Sequence, residues 1–208
     1  MPTTIKPVRP ATPPSFMSLP PEIRLQIYTH LLLLPAYTDS PLSQPQIHPS
    51  ILLANRQINR EGTPLLYTKN MFLAHPSLLT SFPRLRTWYT PVREASAISR
   101  IRRFRVVVRL DCDMRYTRDM ASRMLSGMDE VVVEVVQAVF LGAGPENLRV
   151  LEGVRGVRSV VVRGSTTGFE GYVGWLRERM EMGCEGSGEF GEGDVEDDDV
   201  DDNTEWLR

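Results

Sequence analysis

An alternation of strand and helix patterns across residues 100–182 constrains the fold of this chain more than any other feature. The first pattern is a strand whose apolar residues alternate with arginines, which gives it one apolar face and one basic face. The residues expected to face the core are Phe104, Val106, Val108 and Leu110. A helical pattern from Thr117 to Gly127 follows, and then a strand from Glu130 to Gln137. Valines on both faces of this second strand predict a central, doubly covered position.

The alternation continues toward the C-terminus in shorter segments. A short helix is predicted from Leu148 to Val154, a third strand from Arg158 to Arg163, and a last helix from a capping box of Thr167 and Glu170. Helical connections favour parallel neighbouring strands. The order β-α-β-α-β-α therefore predicts a small open sheet with helices on at least one face. The expected fold class is α+β or α/β.

The first quarter of the chain has a helical pattern only. Pro20 and Pro21 stand where a helix can begin at little cost, because the first helical turn has backbone N–H groups without intrahelical partners. The expected apolar stripe consists of Ile23, Ile27, Leu31 and Leu32, with Arg24 pointing away from it. A second helical pattern begins at Ile51, and Pro64 is expected to kink or split it.

Composition places the boundaries between these regions. At 208 residues and 41% apolar content, the chain is long enough for one moderate domain, or for a small module and a small domain, with flexible ends. The predicted regions are a disordered proline-rich arm (1–15), a helical module (16–75), a linker (76–99), an α/β domain (100–182) and a disordered acidic tail (183–208).

Charge and cysteine content narrow the class of protein. The net charge of −2 conceals a net charge of −10 in residues 183–208 and of +8 in the remainder. No apolar run approaches the ~18 residues that a membrane helix needs, and no signal-peptide pattern is visible. Two cysteines make a disulfide framework unexpected. These features predict a cytoplasmic or nuclear protein without membrane contact.

Two motifs in the helical module agree in order and spacing with a known family. The first is Leu19-Pro20-x-Glu22-Ile23-Arg24-x-x-Ile27-Tyr28. The second is Arg56-Gln57-Ile58-x-x-Glu61-x-x-Pro64-Leu65-Leu66-Tyr67-x-x-Asn70-x-Phe72. Together they resemble the F-box-like family of filamentous fungi over residues 16 to 73. The chain departs from a standard F-box in its long loop between the first two helices and in the second motif, which replaces the usual third helix.

The resemblance implies a function in protein interaction. In F-box proteins this helical surface binds a Skp-type adaptor of cullin–RING ubiquitin ligases, and the following domain usually recognises the target protein. The adaptor-binding residues that it implies here are Leu19, Pro20, Ile23, Ile27 and Leu31. The chain would then be a non-enzymatic adaptor, with a Skp-type protein and an unknown target protein as its partners.

A cluster of arginines offers an alternative function. Between Arg84 and Arg109 the chain carries eight arginines, together with Trp88 and Tyr89. Basic and aromatic residues together can bind nucleic acid or another polyanion. The residues expected to do so are Arg100, Arg102, Arg103, Arg105 and Arg109, with the acidic tail as a regulator. A solvated strand face with a basic loop is the simpler interpretation.

No arrangement of residues predicts catalysis. His30, His48 and His75 have no partner at metal-binding or catalytic spacing. Asp111 and Asp113 could reach one divalent ion, but aspartate is common at strand ends, and Cys112 between them is expected to be a small buried residue. We therefore predict no enzyme activity, no cofactor and no metal site.

Overall fold

A computed structural model of the chain describes residues 15–35, 45–138 and 144–183. The predicted proline-rich arm, except for its last residue, and the predicted acidic tail, except for its first, lie outside these residues. The chain divides between Met71 and Phe72 into two compact units. The first unit ends four residues before the predicted boundary, because Phe72 already belongs to a strand.

The described residues of the first unit form two helices and two short turns. A 3-10 turn at Phe16–Ser18 precedes helix α1, Pro21–Leu32, and a second 3-10 turn at Pro49–Leu53 precedes helix α2, Arg56–Lys69. Proline at the start of α1 and the Asn55 side chain, which accepts a hydrogen bond from Gln57 N at 2.7 Å, set where the two helices begin. The expectation that Pro64 splits α2 is wrong, since the helix continues through it to Lys69.

The first unit packs tightly where its two helices meet the second turn. Gly62 of α2 is buried, and a Cβ atom there would lie 2.6 Å from Leu52 Cδ2 and 3.0 Å from Leu32 Cδ1. A larger residue at this position would force the two leucine side chains to move. The absence of a side chain at Gly62 thus allows the close approach.

The second unit is built on a five-stranded sheet whose order is β2-β1-β3-β4-β5. Its strands are β1 Phe72–His75, β2 Leu79–Arg84, β3 Arg103–Arg109, β4 Glu130–Val136 and β5 Val160–Gly164. The β1–β2 pair is antiparallel, whereas the pairs β1–β3, β3–β4 and β4–β5 are parallel. The unit's helices are α3 Ala95–Ile98, α4 Arg118–Leu125 and α5 Glu170–Glu181, with a 3-10 turn at Glu146–Leu151.

The predicted fold class is confirmed. The three predicted strands are β3, β4 and β5, and they are parallel neighbours as expected. The region predicted as a linker, 76–99, instead contains β2 and α3. The sequence did not predict β2 as a strand because it contains Pro83, and a proline interrupts most strands. It is tolerated in β2 because this strand lies at the edge of the sheet, where a missing N–H breaks no ladder bond.

The core of the second unit lies on one face of the sheet. The residues of β3 that were expected to face the core are all buried there, and so are Val131, Val133 and Val135 of β4. The opposite face of β4 is only partly covered, since Val132 is half-buried and Val136 is 36% exposed. The expectation of a doubly covered strand is therefore wrong, although β4 does lie between two parallel neighbours.

Two local details also differ from expectation. Helix α5 begins at Glu170 after Phe169, and the Glu170 carboxylate accepts a hydrogen bond from Gly168 N, so the predicted capping box does not form. Cys112 is exposed, whereas the sequence predicted it to be buried, because it lies in the turn that follows β3. None of the helices in the described part of the chain is long and apolar enough to cross a membrane.

Candidate protein-docking face

The five predicted adaptor-binding residues occupy one stripe at the start of and along α1, which we call the docking face: Leu19, Pro20, Ile23, Ile27 and Leu31. Ile23 is 41% exposed and Pro20 is exposed, while the other three are half-buried. The spacing of four residues places Ile23, Ile27 and Leu31 on one side of α1, and Leu19 and Pro20 directly precede the helix. An apolar stripe of this kind remains accessible on α1.

Helix α1 is buried through a different set of residues. Arg24, Tyr28 and Leu32 are 6%, 1% and 0% exposed, so the prediction that Arg24 points away from the packed side is wrong. The physical reason is that Arg24 has an oppositely charged, half-buried partner, Glu61, which allows a charged side chain to occupy the packed side of the helix. Because these three residues anchor α1, Ile23 is left at the surface.

The partner of Arg24 is Glu61 on α2. Arg24 Nε and Nη2 donate to the two carboxylate oxygens of Glu61 at 3.0 and 2.8 Å, a bidentate pair. Tyr28 Oη donates to Glu61 Oε2 at 2.9 Å, and Gln57 Nε2 donates to Glu61 Oε1 at 2.9 Å. One carboxylate therefore accepts four hydrogen bonds and joins residues of both motifs.

Hydrogen bonding around Glu61 shifts the pKa values of Glu61, Arg24 and Tyr28. The bonds from Arg24 and then from Gln57 lower the pKa of Glu61 to about 2, and the bond to Glu61 raises the pKa of Arg24. Burial and the bond to Glu61 raise the pKa of Tyr28. The carboxylate is thus ionised throughout the physiological range.

We expect the stability of the first unit to fall in acid because of Glu61. Its pKa is about 2 in the folded protein, against 4.5 as the ordinary value. Between these values the unfolded chain binds a proton that the folded chain does not, so lowering the pH through this window favours unfolding. Urea denaturation at pH 5 and pH 3 should show a loss of stability for the wild type. Glu61→Gln should show a smaller difference between the two pH values, and an equal difference would contradict this assignment.

Asn70, the last polar residue of the second motif, fastens the far ends of the two helices. Its side-chain nitrogen donates to Leu32 O at 2.8 Å and to Leu66 O at 2.9 Å, and its side-chain oxygen accepts from Leu34 N at 2.9 Å. These carbonyls belong to the last turns of α1 and α2, where helices have acceptors without intrahelical partners. The side chain is 2% exposed, so its role is structural.

The second predicted site, the arginine cluster, is not a continuous basic surface. Arg103 pairs with Glu130 and Arg105 pairs with Glu134, both on the neighbouring strand β4. Arg105 is only 6% exposed, so the prediction that it lies on an exposed basic face is wrong. Glu130 stands directly opposite Arg103, whereas Glu134 stands opposite Val107 and reaches Arg105 diagonally on the same face, so carboxylates of β4 balance the covered charges of β3.

The other three arginines that were expected to bind a polyanion have separate environments. Arg109 binds Asp111 through two hydrogen bonds of 3.1 and 2.9 Å, which lower the pKa of Asp111. Arg100 and Arg102 are exposed just before β3. Trp88 is 44% exposed and its ring lies 6.2 Å from that of Tyr89. Much of the positive charge predicted for polyanion binding is thus matched by carboxylates within the second unit.

Among residues 15–35, 45–138 and 144–183, no group of three histidines, cysteines or carboxylates is placed to hold a metal ion. Asp111, one of the two carboxylates considered in the sequence, bonds to Arg109, and the Asn147 amide binds the main-chain oxygens of Arg109 and Cys112 at 2.6 and 2.7 Å. These contacts fasten the turn after β3.

The residues that sequence reasoning missed are the polar members of the motifs. Arg24, Tyr28, Glu61 and Asn70 form the contacts that define the first unit, yet only the apolar residues were proposed as functional. The sequence did contain a signal for the ion pair, since Arg24 in the first motif and Glu61 in the second have opposite charges. Comparisons of the chain with protein-family models, with curated proteins and with solved structures found no significant match.

Proposed function

We propose that this protein is a non-enzymatic interaction adaptor of the F-box-like kind. The docking face would bind a Skp-type adaptor and thereby make the chain a substrate-recognition subunit of a cullin–RING ubiquitin ligase. The second unit would present a surface to an unidentified target protein. The chain would act by holding its target near the ligation machinery, in the cytoplasm or the nucleus, without bond chemistry of its own.

One observation carries this proposal. Within the two motifs, polar residues that are usually exposed are turned inward, as Arg24 is, while Ile23 remains at the surface. Burying a β-branched apolar side chain of this size is favourable by roughly 1.5–3 kcal/mol. A helix that leaves Ile23 accessible while it packs through a buried arginine presents an apolar surface suited to a protein partner.

The polyanion-binding alternative has less support. It needs a concentrated positive surface, whereas Arg103, Arg105 and Arg109 each pair with a carboxylate. Of the five arginines expected to bind a polyanion, this leaves exposed Arg100 and Arg102, and affinity for nucleic acid grows with the number of phosphates that are neutralised.

A binding experiment with matched variants tests the proposal. The full chain and a purified Skp-type adaptor would be mixed and their dissociation constant measured by calorimetry. Ile23→Asp should weaken binding roughly 100-fold, because it places a charge in the centre of an apolar interface. Leu25→Asp is the control, since Leu25 lies on the same helix and is 49% exposed but is outside the docking face.

The two variants give a clear decision. Weak binding by Ile23→Asp together with near wild-type binding by Leu25→Asp would support the docking face. No binding by the wild type, or equal losses in the two variants, would contradict the proposal. Far-UV circular dichroism of each variant would verify that both helices are retained.

A further inference from the structure

Two members of the docking face, Leu19 and Pro20, lie outside α1. The helix begins at Pro21, and Pro20 at the cap position makes no side-chain hydrogen bond to the helix. A segment of this kind at the end of a helix would ordinarily be loose. Contacts from elsewhere in the first unit must therefore hold these two residues where a partner can meet them.

Two such contacts are present, and each comes from a buried residue of α1. Arg24 Nη1 donates to the main-chain oxygen of Leu19 at 2.7 Å. The ring of Phe16 lies 5.9 Å from the ring of Tyr28, tilted by 53°. Phe16 is connected to Leu19 by the 3-10 turn, in which Leu19 N donates to Phe16 O at 3.2 Å. The segment 16–20 is thus fastened by Arg24 and by Tyr28.

Both fastening residues depend on one carboxylate of the other helix. The oxygens of Glu61 accept from Arg24 at 2.8 and 3.0 Å and from Tyr28 at 2.9 Å. Hydrogen bonds between charged groups are roughly twice as strong as neutral ones, and a bidentate pair fixes the direction of the guanidinium. Glu61 therefore orients the guanidinium of Arg24 so that its third donor, Nη1, points toward the Leu19 oxygen.

From this arrangement we infer that Glu61 is a positioning residue for the docking face. It fixes the segment that carries Leu19 and Pro20 without being a member of the face itself. The consequence for docking rests on the proposed function: a preorganised segment loses less conformational freedom when a partner binds. Replacing Glu61 would then weaken docking in a protein that is still folded.

Glu61→Gln is the first test, because it keeps the shape and removes the charge. The amide nitrogen of glutamine cannot accept a hydrogen bond from Arg24 or Tyr28, so at least one fastening contact is lost. The order parameters of the Ser18 and Leu19 amides, measured by nitrogen-15 relaxation, should fall from ~0.85 to about 0.6 or below. Affinity for a purified Skp-type adaptor should fall roughly 10-fold.

Two further variants distinguish positioning from general stability. Gln57→Ala is the control, because it removes one donor to Glu61 but leaves Arg24 and Tyr28 in place, so segment 16–20 should stay rigid. Arg24→Lys is a second test that keeps the charge. An ammonium lacks the planar fork that joins Glu61 to Leu19 O, and the segment should again loosen. Slow amide exchange at Ile58 and Leu66 would show that each variant is folded.

The outcomes separate this inference from the proposed function. Loosened amides at residues 18 and 19 with weaker adaptor binding would support positioning by Glu61. Unchanged order parameters in folded Glu61→Gln, or loosened amides with unchanged affinity, would overturn it. Absence of binding by the wild type would overturn the proposed function, and the order parameters alone would then decide whether Glu61 fixes the segment.

Discussion

Gly164→Ala should lower the free energy of unfolding of the second unit by about 3–4 kcal/mol. Gly164 ends β5 with φ +108°, a backbone conformation that favours glycine, and it lies opposite Val135 of β4. A Cβ atom there would overlap the main-chain oxygen of Val135 and lie 3.0 Å from its carbonyl carbon. Because Val135 is a buried residue of an interior strand, its backbone has little room to move.

Gly168→Ala provides the matched control for this prediction. Gly168 also has a positive φ, +91°, but a Cβ atom there would meet nothing within 4 Å. Its substitution should cost only about 1–2 kcal/mol of backbone strain. Urea denaturation followed by circular dichroism would compare the two variants, and equal losses of stability would contradict the steric explanation.

Glu134→Ala should destabilise the second unit by about 3 kcal/mol. Glu134 is paired with Arg105, and the two side chains are only 17% and 7% exposed. Removing the carboxylate takes away a charge that pairs with the Arg105 guanidinium in a covered position. Breaking such a pair costs more than the pair contributes when intact, because the remaining charge is desolvated.

The control for Glu134 lies on the same strand and the same face. Glu130 pairs with Arg103, but the Arg103 side chain is 35% exposed and can be solvated once its partner is removed. Glu130→Ala should therefore cost no more than about 1 kcal/mol. Chemical denaturation of both variants checks the prediction, and a larger effect at Glu130 than at Glu134 would show that burial does not determine the cost.

The periodicity of the second unit predicted its parallel strands well. Strands β3 to β5 carry alternating or continuous valine and phenylalanine patterns that few other structures accommodate, and they were predicted within about two residues of their ends. Strands β1 and β2 were not predicted as part of the sheet. They are short, and β2 contains Pro83, so their strand character depends on pairing: β2 pairs with β1, and β1 in turn pairs with β3, which is distant in the sequence.

The docking face was predicted from a resemblance between motifs, and the structure determines which motif residues are accessible. Periodicity places Ile23 on an apolar stripe with Arg24 beside it, and it does not decide which of the two is packed. The actual choice depends on Glu61, which is 37 residues away from Arg24 in the chain. No local pattern contains this information, because the energy of burying a charge depends on a partner brought near by the fold.

By itself, the sequence determined where most of the helices and the central strands form, and how the chain is divided by charge. These properties depend on periodicity and composition, which are set by residues that are close to one another in the sequence. The tertiary structure alone decided that Arg103 and Arg105 are paired with carboxylates and that α1 packs through Arg24, Tyr28 and Leu32. The physical reason is that burial and ion pairing are set by contacts between distant segments, and these contacts left Ile23 at the surface.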